Sequence, residues 1–265
     1  MEIFSFALFT RFEDNLRFLA SLSNDNDEEW EYSDPQKELQ EGNNSARYSF
    51  PILRNYFEYT YQKLHSENRI VFAEGERFAC FNTGLVTRHY EEIFAFFEEN
   101  KSYNKQSPYF FKAFLKESDR EFLSYYSTNI PQRANYFDKP ERLLFNPQSV
   151  IIKNIDHILQ DNKLRFPAPL RNATDREIRN QLNGAIEEVT KMAKINYKLG
   201  IPQWYKGEIQ LLLPLYLTHQ NKADLALSLE YINEKTYRAG AVLTKGMAYN
   251  NARLIVAPQS NWLQP

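Results

Sequence analysis

Lys245, Tyr249, Asn250, Asn251 and Arg253 form the densest cluster of chemically versatile side chains in the sequence. A lysine and an arginine at that separation can clamp an anion, the arginine through its planar fork. Tyr249 offers a stacking face for a base, and Asn250 or Asn251 a donor–acceptor pair that matches adenine. A polar turn with asparagine in left-handed geometry accounts for the same string, so both readings stand. A second cluster, Asn82-Thr83-Gly84, sets an amide and a hydroxyl beside a glycine. Such a group can contact a phosphate or a base edge while the backbone approaches closely. Asn, Thr and Gly are equally the residues of a turn closed by its own side chains, and on residue type alone the turn is favoured.

Arg176 and Arg179, with Arg165 and Arg171 ahead of them, make a basic run at the start of a helix, where the dipole attracts anions. A solvated helix face explains the same charges. Of four dispersed histidines, His157 in Asn154-Ile155-Asp156-His157 alone has polar neighbours that can orient a general base. His157 and Lys245 are therefore the candidates for acid, base or nucleophile, beside the plainer reading of a structural histidine. No HxxxH or HxH pair and no cysteine cluster occurs, so no metal site is expected. With 8 glycines and no GxGxxG or GxxxxGK[ST] string, a glycine-rich phosphate loop is excluded. The residues imply no particular cofactor.

The first cluster must be carried by the segment before it. Leu225, Leu227, Leu229 and Tyr231 alternate with Asp224, Ser228 and Glu230, the period of a half-buried strand. With Ile209–Leu217 before it and Tyr237–Thr244 after it, joined by short turns, the segment predicts an antiparallel meander over 208–244 that delivers Lys245–Arg253 to a strand exit. Ile70–Ala73 and Phe78–Phe81 around Glu74-Gly75-Glu76-Arg77 predict a hairpin, 70–85, ending in Asn82-Thr83-Gly84-Leu85. Amphipathic spacing predicts helices over 12–22 and 50–64. Thr174-Asp175-Arg176-Glu177 is a capping box for a helix over 174–199, stopped by Gly200 and Pro202. Glu91–Glu99 reads as a short helix and Ser149–Leu159 as a strand turning into one. Tyr109–Leu115 and Phe122–Tyr126 fit either period. The stretches 24–44 (around an anchor at Trp30) and 101–107 read as polar loops. Phe166-Pro167-Ala168-Pro169 is a stiff linker.

The expected architecture is α+β, an antiparallel sheet made from the hairpin and the meander and covered by helices. One domain over 1–265 is favoured, with a subdomain boundary near 166–173, because the two clusters make best sense if they converge. A net charge of −2 requires any nucleic-acid contact to come from a local patch. The single cysteine, Cys80, sits in an apolar strand and reads as a buried thiol. Without a signal segment or a run of membrane-spanning length, a cytoplasmic protein with no membrane partner is expected.

Phe81-Asn82-Thr83-Gly84-Leu85, Pro202-Gln203-Trp204-Tyr205 (read as a turn), Gln210–Leu215 and Met247–Leu254 together resemble the family known as domain of unknown function 3825. The resemblance extends over most of the chain. It implies an association with RNA, since members in bacteria and fungi are sometimes joined to cold-shock or other RNA-binding modules, but it transfers no catalytic residue. Three functions follow as expectations. The first is a nucleotide- or RNA-binding protein whose anion and base site combines Asn82 and Thr83 with Tyr249, Asn250, Asn251 and Arg253. The others are an enzyme of nucleotide or RNA phosphate chemistry (phosphodiesterase, nuclease or nucleotidyl transfer) and a protein-interaction domain.

Overall fold

The computed structural model describes residues 1–23, 30–31, 50–102 and 107–263. The polar stretches read as loops around Trp30 and over 101–107 lie largely outside them. The described chain divides into two compact units, one running to Asn135 and the other from Tyr136 onward. The stiff Phe166–Pro169 segment falls inside the second.

The first unit holds helices α1 (Ile3–Phe6), α2 (Phe12–Leu22), α3 (Pro51–Ser66) and α4 (Arg120–Tyr126). Its strands are β1 (Ala7–Leu8), β2 (Val71–Ala73), β3 (Phe78–Val86), β4 (Glu92–Glu99) and β5 (Tyr109–Lys116), in the order β1-β5-β4-β3-β2. The hairpin expected over 70–85 is β2–β3. Glu91–Glu99, read as a helix, is the central strand β4 instead. Ile93 to Phe97 is an unbroken apolar run with every residue buried. A strand covered on both faces loses its alternation, so period could not identify it. Helix α3 covers one face, Phe57 and Tyr61 packing on Phe81 at ring separations of 5.5 and 5.7 Å. Helix α4 covers the other, where Phe122 stacks on Phe94 at 4.1 Å. Cys80 is fully buried on that second face, and desolvation holds its thiol well above the ordinary pKa.

The second unit contains β6 (Val150–Lys153), α5 (Ile155–Asn162), α6 (Ala168–Arg171), α7 (Asp175–Ile195), β7 (Ile201–Tyr205), β8 (Glu208–Leu215), β9 (Leu225–Asn233), β10 (Thr236–Leu243) and α8 (Lys245–Arg253). The meander is β8–β9–β10, flanked by β7 and β6 in the order β6-β10-β9-β8-β7. The fold is α+β, but the expectation of one antiparallel sheet is corrected twice. Hairpin and meander belong to different five-stranded sheets, and each sheet takes one parallel edge, β1 on β5 and β6 on β10. Pro202–Tyr205, read as a turn, is strand β7. Pro202 is tolerated there because β7 ends its sheet, where a missing ladder donor costs little.

The capping box is present. Thr174 Oγ1 accepts from Glu177 N at 3.3 Å, and Thr174 N donates to Glu177 Oε2 at 2.8 Å. From there Ile178, Leu182, Ile186 and Val189 line the face of α7 that packs on Leu211, Leu213, Leu227 and Leu229 of the sheet. Alternation then directs Gln210, Leu212 and Ser228 to the opposite face, where α8 lies against β7, β9 and β10.

Candidate functional site

Asn82, Thr83 and Gly84 sit in β3 where its pairing with β4 slips. Asn82 is fully buried. Its Nδ2 donates to Glu92 Oε2 (2.8 Å) and the Pro131 carbonyl (3.3 Å), and its Oδ1 accepts from Gly84 N (2.9 Å). Thr83, also fully buried, donates from Oγ1 to the Ile93 carbonyl at 2.7 Å. Its own carbonyl accepts from Tyr56 Oη of α3 at 2.9 Å. Gly84 has φ +77°, the left-handed region that glycine adopts without strain. The side chains of the string thus close a strand irregularity and tie it to α3, β4 and the Pro131 segment. A ligand reaching Asn82 or Thr83 would have to displace those bonds.

The Lys245–Arg253 string is not a turn. It forms α8, with Thr244 as its cap accepting from Met247 N at 3.2 Å. Gly246, Ala248, Tyr249, Ala252 and Arg253 are all buried, so the helix is covered on most of its circumference. Its small residues allow close seating, which is the physical reason the open stacking face expected of Tyr249, 2% exposed, is absent. Arg253, 7% exposed, is likewise not a surface guanidinium. A cation so placed is costly unless its donors are satisfied, and its position in the last turn suits the helix dipole. Asn250 is half-buried.

Asn251 faces the sheet. Its Nδ2 donates to Gln203 Oε1 at 3.0 Å, and Gln203 Nε2 donates to Ser228 Oγ (2.8 Å) and Gln210 Oε1 (3.2 Å). Ser228 Oγ in turn donates to Gln210 Oε1 at 2.7 Å. This connected tetrad joins α8 to three strands on a face where apolar residues would be the default. Sequence reasoning placed Ser228 on a solvent face and missed both glutamines. The available signal was two glutamines interrupting otherwise apolar strands. Removing Gln203 takes a partner from buried Ser228 and from half-buried Gln210 and Asn251, so Gln203→Ala is expected to destabilise by about 1–3 kcal/mol. A double-mutant cycle with Asn251→Ala, read by urea denaturation, checks this. Strict additivity of the two losses would show that the pair is not coupled.

The only anion-seeking arrangement we find on α8 is at its first residue. Burial pulls the pKa of Lys245 down and the charge of Lys222 pulls it further, while Asp224 opposes both. Asp224 is already engaged, accepting from Leu217 N, Thr218 N and Thr218 Oγ1 at 2.7, 2.8 and 2.6 Å. Lys245 thus stands half-buried at the positive end of a helix and feels the charge of Lys222, and that end disfavours cations and favours an anion.

The remaining candidates lie elsewhere on the second unit. His157 is exposed on α5, its Nδ1 2.5 Å from Asp161 Oδ2 one turn on, the geometry of a helix surface pair. Arg176 and Arg179 are exposed in the first turns of α7, whose positive end already holds the carboxylates of Asp175 and Glu177. Arg165 is turned inward, donating to the Val242 carbonyl at 2.7 Å and to Asn162 Oδ1 at 3.2 Å. Among the described residues, no group of three or more His, Cys, Asp or Glu is placed to hold a metal ion, and no helix is long and apolar enough to cross a membrane.

A family model described as "Domain of unknown function (DUF3825)" matches residues 22–262. No curated protein and no solved structure matches the chain.

Proposed function

The chain belongs to the DUF3825 family, and from its own residues we propose that it binds a nucleotide or an RNA strand through phosphate held between Lys222 and Lys245 at the start of α8. The observation that carries this reading is the half-buried placement of Lys245 at the first position of α8, where burial above all, and the charge of Lys222 after it, lowers its pKa. A bound anion would favour the charged form of Lys245 against burial and the Lys222 charge, in the same sense as the Asp224 carboxylate, which accepts from Leu217 and Thr218. The association with RNA-binding modules that the family resemblance implies points to the same ligand class.

Fluorescence polarisation with a labelled single-stranded RNA and with ADP tests it. Lys245→Met and Lys222→Met are each expected to weaken binding about tenfold, or roughly 1.4 kcal/mol. The salt dependence of RNA binding should become shallower by about 0.7 in log–log slope for each lysine–phosphate pair removed. The pH dependence has a definite sign. A phosphate favours the charged lysine, so affinity is full below the depressed pKa of Lys245 and falls as pH rises through it. Equal affinity for both variants and the parent would remove this site. Turnover of the RNA that disappears in His157→Ala would make the protein an enzyme of phosphate chemistry instead.

A further inference from the structure

Among the described residues, strand β6 ends the order of its sheet. Val150 N donates to the Lys235 carbonyl at 2.8 Å and Asn154 N to the Ala239 carbonyl at 2.9 Å, which fixes the phase of its pairing with β10. Residues between them, Ile151 and Lys153, therefore turn their N–H and C=O groups toward the open edge. Such an edge is commonly guarded by a lysine reaching over it. Here Lys153 is drawn aside, its Nζ donating to Asn183 Oδ1 of α7 at 2.9 Å.

Beside this edge runs a groove of ≈300 Å³ between β6 and α7. Ile151 and Ile186 form its apolar floor, and Lys153, Lys191 and Lys194 stand along it with one carboxylate, Glu187. Glu187 is held by Lys191 at 2.7 Å, which lowers its pKa and keeps it ionised, and the three lysines outnumber this one carboxylate, so the groove is net positive. On the other face of β6, Val150 and Ile152 are 63% and 58% exposed. Open ladder groups, a cationic channel on one side and β-branched apolar side chains on the other describe one kind of occupant. We propose that the β6 edge and the β6–α7 groove dock an extended acidic peptide, which adds to the second sheet as a further strand.

The pleat then dictates the ligand pattern. Alternate residues of the added strand point into the groove, where carboxylates meet Lys153, Lys191 and Lys194. The residues between them lie over Val150 and Ile152, where valine or isoleucine forms cross-strand apolar pairs. A nucleic-acid strand would use the lysines but neither the ladder groups nor the apolar face.

The probe is a fluorescein-labelled heptapeptide of alternating glutamate and valine, titrated against the whole chain. Saturable binding is expected, with slowed hydrogen exchange at the Ile151 and Lys153 amides. Affinity should fall at least tenfold when Lys191→Glu and Lys194→Glu are combined; both side chains are exposed, so the fold should tolerate the change. A similar loss should follow N-methylation of the alternate peptide nitrogens that face β6. Failure to bind the folded parent chain overturns the proposal. So does equal binding of a peptide of the same composition with its glutamates in one block, or indifference to N-methylation. Displacement of the peptide by oligouridine at matching affinity would assign the groove to nucleic acid. A doubled mass in sedimentation that Ile152→Glu abolishes would assign the edge to a second copy of the chain. Either outcome also overturns it.

Discussion

Replacing Gly84 with alanine is expected to destabilise the first unit by about 2–5 kcal/mol, from two costs with separate origins. At φ +77° an L-residue carries strain of roughly 1–2 kcal/mol that glycine does not. The new Cβ would also stand 2.5 Å from Tyr56 Oη, closer than such atoms approach. Tyr56 must withdraw, and the fully buried Thr83 then loses the donor to its carbonyl, which costs about 1–3 kcal/mol. Thermal melting followed by circular dichroism should show a fall on the order of 10 °C for the transition of this unit. The two origins separate in a Tyr56→Phe background. The atom left nearest the new Cβ is the ring carbon, now at 3.7 Å, so the clash vanishes while the backbone strain remains. The alanine penalty should shrink there to the strain alone. An undiminished penalty would show that Tyr56 is not what makes glycine necessary.

The glycine also shows why Asn82-Thr83-Gly84 can be read as a site although residue type favours a turn. Asn, Thr and Gly are chosen for local hydrogen bonding and a left-handed backbone whether or not a ligand is present. Only the positions of Glu92, Ile93, Pro131 and Tyr56, all distant in sequence, decide where the polar atoms are used. By contrast the capping box of α7, the meander and the β2–β3 hairpin follow from neighbours a few residues apart, and all were legible. Strand β4 was not, because covering both its faces erases the alternation that marks a strand. Gln203 and Gln210 were hidden for a related reason. Period-2 reasoning assigns the polar positions of a strand to water, and here the second face of the sheet is covered by α8. At Lys245–Arg253 a short buried helix imitates a polar loop. Half-buried Lys245, Asn250 and Asn251 and buried Arg253 give a surface-like composition to a segment whose Gly246, Ala248 and Ala252 are what pack it.

Tyr249→Ala tests that reading of α8 with the largest expected effect in the second unit. Tyr249 is among the largest fully buried side chains in the protein. Deleting a buried aromatic ring costs about 3–5 kcal/mol, transfer free energy and residual cavity together. The unit should melt well below the parent chain. Tyr249→Phe keeps the ring and should recover most of the loss, since only the hydroxyl is removed. An open stacking platform predicts a different pattern: melting near that of the parent, with RNA affinity reduced by roughly 1–3 kcal/mol. Arg253→Ala discriminates in the same direction. An exposed guanidinium contributes little to folding, whereas one that is 7% exposed leaves buried groups unsatisfied when truncated. Early melting of both alanine variants is therefore expected. Below their melting temperatures, phosphate affinity should be retained if, as proposed, Lys222 and Lys245 hold the anion. Parent-like melting with weakened RNA binding would return the base to Tyr249 and move the site from the start of the helix to its middle.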